Sequence, residues 1–413
     1  MSHGLPAFAL FAAALASAGL PIYIHAPKFF ADNYGVELSA IGAALFGLRL
    51  LDVVQDPVLG WLSRVAQRWR SASVTIAAAI MALSMFALFA VAPPVAPLLW
   101  FAVTLALLFS SFSFLTITFY STGVRKAQEL GEGGHVRLAA WRETGALIGV
   151  CAASVLPTLF ALTSEAPFTL FAIAFVVLTC GSVWAMRGMW ASAPVTGSAS
   201  FGVVLRDPLA RRLLLIAVLN SAPVAVTSTL FLFFVEARIG AEGWEGPLLL
   251  LFFLSAAIAA PAWGRAASRF GSKKVLQSGM VLAIATFSIA IFLQDGDLWI
   301  FALVCILSGA ALGADMTLLP ALFAARMEVI VPDAAEGFGL WSFASKMTLA
   351  LAAAVLLPLL DASGYSTTLD QQPDTALWTL TLLYAAVPLV MKALALALLT
   401  LTPLSSAIGT EQS

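Results

Sequence analysis

Residues 46–63 read Phe-Gly-Leu-Arg-Leu-Leu-Asp-Val-Val-Gln-Asp-Pro-Val-Leu-Gly-Trp-Leu-Ser, an apolar run that carries Arg49, Asp52 and Asp56. Spacings of three and four place these three side chains on one helical face, with neighbouring Cβ atoms about 5–6 Å apart. At bilayer depth each ionisable residue costs roughly 2.5–3.5 kcal/mol on insertion scales. Three together point to an ion or solute pathway. Two carboxylates one turn apart either share a proton or offer hard oxygen ligands to a small cation such as sodium.

Outward from this stretch, the composition says membrane. Of 413 residues 61% are hydrophobic and 10% charged, with a mean hydropathy of +0.98, whereas a soluble domain is typically about 25% charged. A helix needs about 20 apolar residues to cross the hydrocarbon core. Runs of that kind are expected at 5–30, 36–62, 73–93, 97–124, 137–163 and 166–187, then at 212–236, 246–264, 273–294, 297–324, 335–360 and 374–402. The first is read as a membrane helix and not as a cleaved leader, because no small-residue cleavage motif follows it. A polar stretch at 188–211 divides the chain into a bundle over 1–187 and a second over 212–413 that ends in a short tail. The expected fold is therefore an all-α membrane protein of twelve transmembrane helices in two six-helix, pseudo-symmetric bundles.

Lys and Arg cluster in the turns after the even-numbered spans (Arg64, Arg68, Arg70, Arg125, Lys126, Arg265, Arg269, Lys273, Lys274 among them), while Asp and Glu dominate the opposite turns. The positive-inside rule then sets both termini in the cytoplasm of a plasma (inner) membrane protein. The halves also look duplicated. Pro57-x-x-Gly60 recurs as Pro261-x-x-Gly264, and the same offset carries Arg70 onto Lys274 and Arg142 onto Lys346. Asp52 and Asp56 fall on Ala256 and Ala260, so the acids are an addition to one half and not part of the scaffold. Parallel repeats of this kind suit alternating access.

The 46–63 string resembles the second-helix signature of the glycoside–pentoside–hexuronide:cation symporters, the melibiose-permease-like branch of the major facilitator superfamily. Further likeness lies in Leu138-Ala-Ala-Trp-Arg-Glu143, Pro261-Ala-Trp-Gly264, Gly313-Ala-Asp-Met-Thr-Leu-Leu-Pro320 and Leu340-Trp-Ser-Phe-Ala-Ser-Lys346. The resemblance implies the major facilitator fold and a cation site at Asp52 and Asp56. It implies that Lys346 lies beside those acids, that Arg49 precedes them by a turn and that Ser113 and Thr116 complete the ion site. It also implies that Arg142 contacts solute. The chain departs from the family where galactoside-binding aspartates are replaced by Ala16 and Thr116, where a sugar-stacking tryptophan becomes Tyr120, at Arg64, and at Ala325-Arg-Met-Glu328.

Tyr120, Arg142 and the mid-helix Asp315 are the candidate solute contacts. Arg142 and Glu143 are expected about one turn inside the cytoplasmic surface, where an interfacial pair competes with a binding role. Lys392 has no acidic neighbour at helical spacing, and snorkelling and function stay open for it. His25 and Lys28 read as an interfacial anchor. Cys151, Cys180 and Cys305 read as buried bystanders. Phosphate-cradling loops, His-Glu-x-x-His and Gly-x-Ser-x-Gly are absent from the sequence. No enzyme activity, cofactor or nucleic-acid partner is therefore expected, only a small solute, a lipid bilayer and a coupling ion (sodium or proton), in a monomer. The leading expectation is a cation-coupled solute carrier. Its rivals are a proton-coupled exporter or lysolipid-type carrier, and a non-transporting membrane assembly or sensor protein.

Overall fold

The computed structural model describes residues 4–190, 201–331, 334–365 and 372–403, apart from the side chains at 20–25, 28, 38–39 and 353. His25 and Lys28 therefore lie outside the described side chains. Among the described residues the regular structure is helical. It runs α1 Leu5–Tyr34, α2 Leu38–Val65, α3 Arg70–Ala90, α4 Pro97–Glu129, α5 Gly134–Ala161 and α6 Pro167–Met186. After a six-residue helix, Phe201–Arg206, come α7 Pro208–Phe233, α8 Glu245–Phe270, α9 Ser272–Ala290, α10 Leu298–Ile330, α11 Ala335–Ala362 and α12 Asp374–Thr400. Each coincides with one of the apolar runs. Nine runs among the described residues are long and apolar enough to cross a membrane, one of them (Ala40–Ala90) holding both α2 and α3.

Local chemistry explains the helix ends. Pro97, Pro167 and Pro208 open α4, α6 and α7, where their missing N–H is no loss. Asp207 caps α7 by accepting from the Ala210 N–H at 2.7 Å, and Gly35, at φ 65°, closes α1 in the left-handed conformation. Two wide π turns interrupt the regular pitch: Phe234–Arg238 follows α7, and Leu382–Ala386 lies inside α12. Their rings meet, Phe234 stacking on Tyr384 with centroids 4.0 Å apart and planes 12° from parallel.

The chain forms two compact units, Met1–Val204 with Met327–Phe343, and Leu205–Arg326 with Ala344–Ser413. In the first, α1 packs on α5 so closely that a Cβ at Gly145 or Gly149 would overlap the carbonyls of Ala9 and Ala13. Lipid tails are as apolar as leucine, so close backbone approach replaces the hydrophobic effect in binding such helices together. An aromatic core of Phe8, Phe11, Phe119 and Trp190 fills the space beside them. In the second unit, α12 packs on α7 and α9. The α10 helix presses on α8 through Gly309 and Gly313, and the Trp263 indole N–H donates to the Ala310 carbonyl at 2.7 Å.

Candidate functional site

The α2 acids are buried, Asp52 to 4% exposure and Asp56 to 0%. One face of α2 lies on α4, and polar side chains bridge the two helices. Ser113 donates to Asp52 Oδ1 at 3.1 Å, and Gln55 Nε2 donates to the same oxygen at 3.2 Å. Ser110 in turn donates to Gln55 Oε1 at 2.7 Å, and a Ser63–Thr118 hydroxyl pair at 2.8 Å continues the seam. Thr116 Oγ1 is buried without a hydrogen-bond partner among the described residues. A buried carboxylate needs such donors to offset its lost hydration. Of the two α4 hydroxyls that the resemblance implies, Ser113 is the one hydrogen-bonded to Asp52. Gln55 and Ser110, which sequence reasoning missed, hold the carboxylate's orientation. Their only signal was polarity inside an apolar run.

One turn beyond Asp56, α2 meets the start of α11 through two glycines. A Cβ at Gly60 would stand 3.1 Å from the Ala335 carbonyl oxygen, and one at Gly339 would stand 3.1 Å from that of Asp56. An ion pair and a hydrogen bond fasten the same segment of the first unit: Arg64 Nε to Glu336 Oε1 at 2.7 Å, and His135 to Glu328. Arg64 and Glu328 are departures from the family pattern, whereas no motif or spacing in the sequence marks Glu336 or His135.

Arg142 and Tyr120 come together with Glu143. The α5 helix begins at Gly134, earlier than expected, which carries Arg142 two turns inward from the helix start. The Arg142 guanidinium lies 3.7 Å above the Tyr120 ring, and its Nε donates to Glu143 Oε1 at 2.7 Å. The Tyr120 hydroxyl donates to the same oxygen at 3.0 Å. Phe338 tilts against the Tyr120 ring with centroids 5.1 Å apart. Arg142 is 5% exposed, and its Nη2 has no hydrogen-bond partner among the described residues. The arrangement offers a rigid, partly unsatisfied donor fork.

Asp315 belongs to the second unit, paired with Lys392 of α12, whose Nζ also donates to Asn220 Oδ1 at 2.6 Å. Lys392 therefore has an acidic partner, on another helix and 77 residues away in sequence. Lys346 lies in α11, on the part belonging to the second unit, and Arg49 is half-buried on α2. Cys151, Cys180 and Cys305 are free thiols. No group of three or more His, Cys, Asp or Glu able to hold a metal occurs among the described residues, so a cation at Asp52 and Asp56 would draw on hydroxyl oxygens as well.

Comparison with known proteins gives these features a setting. The model of the family described as "MFS/sugar transport protein" matches residues 4–406. No curated protein matches the chain. Among solved structures, a bacterial homologue of the iron transporter ferroportin in an outward-facing state is similar, with a TM-score of 0.72 and 14% identity over 96% of this chain and 98% of that one. The E. coli fucose:proton symporter FucP is similar with a TM-score of 0.60 and 17% identity, over 95% and 97% of the two chains. At these identities the likeness establishes the fold, that of the major facilitator superfamily.

Proposed function

The chain belongs to the MFS/sugar transport protein family, and on that premise we propose that it carries a small organic solute by alternating access, coupled to sodium or protons at Asp52 and Asp56. Family and fold are those of non-enzymatic membrane transporters. The observation that carries the proposal is the burial of both α2 acids beside the Ser113, Gln55 and Ser110 chain of donors. A scaffold without transport chemistry has no use for it, since buried charge is a weak stabiliser.

In this reading a cation at the two carboxylates stabilises the conformation that binds solute, and the coupling is the difference in its affinity for the two conformations. Ser113 and Thr116 supply neutral oxygens, and Arg49 balances charge when the cation is absent. Arg142, braced by Tyr120 and Glu143, offers its spare N–H donors to solute hydroxyl or carboxylate oxygens. The solute is sugar- or glycoside-like, and Ala16 and Thr116, standing where the galactoside-binding aspartates would be, argue against a galactoside.

Uptake into proteoliposomes across a panel of sugars, glycosides and lysolipids, with sodium and proton gradients imposed separately, tests this. One solute should accumulate under one gradient, and Asp52→Asn or Asp56→Asn should abolish accumulation in protein that still folds. Accumulation at the wild-type level in both variants would remove the proposal. Lysolipid transport alone would reassign the solute class.

A further inference from the structure

The second unit holds a buried charged cluster that the α2 site does not use. The α10 helix is clamped to α8 along one face. A Cβ at Gly313 would stand 2.8 Å from the Ala256 carbonyl oxygen, and Ser255 donates across to the Ile306 carbonyl at 2.9 Å. Asp315, two residues after Gly313, points about 200° round the helix from that contact, toward α7 and α12. There Lys392 Nζ meets Asp315 Oδ2 and Asn220 Oδ1. Exposure is 7% for Asp315, 2% for Lys392 and 5% for Asn220. Asp315 Oδ1 is buried with no hydrogen-bond partner among the described residues.

Other charges of the packed helices stand at their ends. Arg211 and Arg212 are exposed in the first turns of α7, Lys273 at the start of α9 is tied to the Thr400 and Thr402 carbonyls, and Arg326 of α10 is held by Asp207. Cys305 lies ten residues before Asp315, about 15 Å along α10, and Tyr384 eight residues before Lys392. The cluster thus answers chiefly to its own three members.

We propose that Asp315, Lys392 and Asn220 form a proton-binding site of the second unit, separate from the acids of α2. A proton adds to Asp315 Oδ1 and the carboxylate becomes a carboxylic acid. Lys392 keeps all its protons and remains hydrogen-bonded to Asn220. A proton is the ligand that fits, because side chains this buried leave no entry for a solute and lack the further acidic or imidazole ligands a metal needs. The uptake leaves one uncompensated ammonium in low dielectric, which is costly until water or an anionic group reaches it. Protonation and loosening of the α7–α10–α12 contact are therefore linked, and the second unit senses pH by itself.

Infrared pH-difference spectra of the full-length protein in detergent, taken between mildly acidic and mildly alkaline buffer, test this through the carboxyl C=O stretch. The proposal expects a protonation band in wild type and in the Asp52→Asn/Asp56→Asn double variant that is lost in Asp315→Asn and shifted in frequency in Asp315→Glu. Lys392→Met and Asn220→Leu should each move the midpoint of that band by a pH unit or more, a tenfold change in proton affinity. If Asp315→Asn does not fold, the frequency shift in Asp315→Glu decides. A spectrum that neither Asp315 substitution changes, or a midpoint that neither neighbour moves, overturns the proposal and leaves a structural ion pair. Failure of the α2 reading shows separately, as gradient-driven accumulation that persists in the α2 double variant.

Discussion

Replacing Gly60 with alanine and with leucine should give sharply different results. An added Cβ stands 3.1 Å from the Ala335 carbonyl oxygen and 3.3 Å from Gly339 Cα, while ordinary contact begins at 3.4 Å. Alanine thus asks for a shift of about 0.3 Å, and its gain over glycine in helix propensity, about 0.5–1 kcal/mol, offsets most of that strain. Leucine must place three more carbons in the same gap, and overpacking of that kind costs typically 1–3 kcal/mol. The start of α11 then lifts from α2, and the Arg64–Glu336 pair and the Tyr120–Phe338 contact part with it. Amide hydrogen exchange over 335–343 reports the opening directly. With 1.4 kcal/mol per factor of ten, exchange should rise roughly 5- to 150-fold in Gly60→Leu and change less than about 5-fold in Gly60→Ala. Unchanged protection in Gly60→Leu would show that the glycine pair does not hold this segment, and the reasoning from close approach would fail.

Three further outcomes are expected. Asp207 is held below the usual carboxylate range first by its hydrogen bonds from Arg326, then by the Ala210 N–H, with burial opposing. Its stabilising share is present above the ordinary aspartate value of about 3.9 and is lost as pH falls through the lower folded value. Asp207→Ala should therefore cost about 1 kcal/mol for the lost helix cap at neutral pH, and thermal unfolding should show the difference from wild type shrinking in acid. Tyr120→Phe should raise the solute KM modestly by freeing Glu143 of one donor, a loss of about 1 kcal/mol, whereas Arg142→Lys should raise it further, since lysine restores neither the fork nor the ring stacking; equal KM values would sink this ranking. Single cysteines at Ser71, Gly131 and Gly271 should resist an impermeant thiol reagent added outside cells while one at Gly240 reacts, and the reverse pattern would invert the orientation.

Hydropathy made the helical runs legible, because twenty apolar residues have few other fates. It misjudged ends where helices continue as polar structure: α4 runs on through Arg125 and Lys126 to Glu129, and α10 through Arg326 and Glu328 to Ile330. Those residues suit a helix and fail only a test of apolarity. Asp52 and Ser113 were legible through a single helix face and a family likeness. Lys392 was opaque for the opposite reason, since its partners Asp315 and Asn220 lie on other helices and no local spacing encodes them. The place of Met327–Phe343 in the first unit was equally hidden, because it depends on which backbones can touch at Gly60 and Gly339.

The π turn at Leu382–Ala386 has a consequence for how α12 tolerates change. A π turn amounts to one residue inserted into an α-helix, and one residue is about 100° of rotation. The lower stretch of α12, with Lys392, is therefore phased a quarter-turn or more from where the residues of Asp374–Thr381 would set it. Removing a single residue from 382–386 would relax the helix to regular pitch and leave Lys392 facing Asp315, whereas straightening the turn at full length would swing Lys392 off Asp315 by about 100°. The wide turn and its extra residue thus cancel in the phase of the buried pair, and relatives with a one-residue gap there should have a regular helix and keep both the lysine and the aspartate.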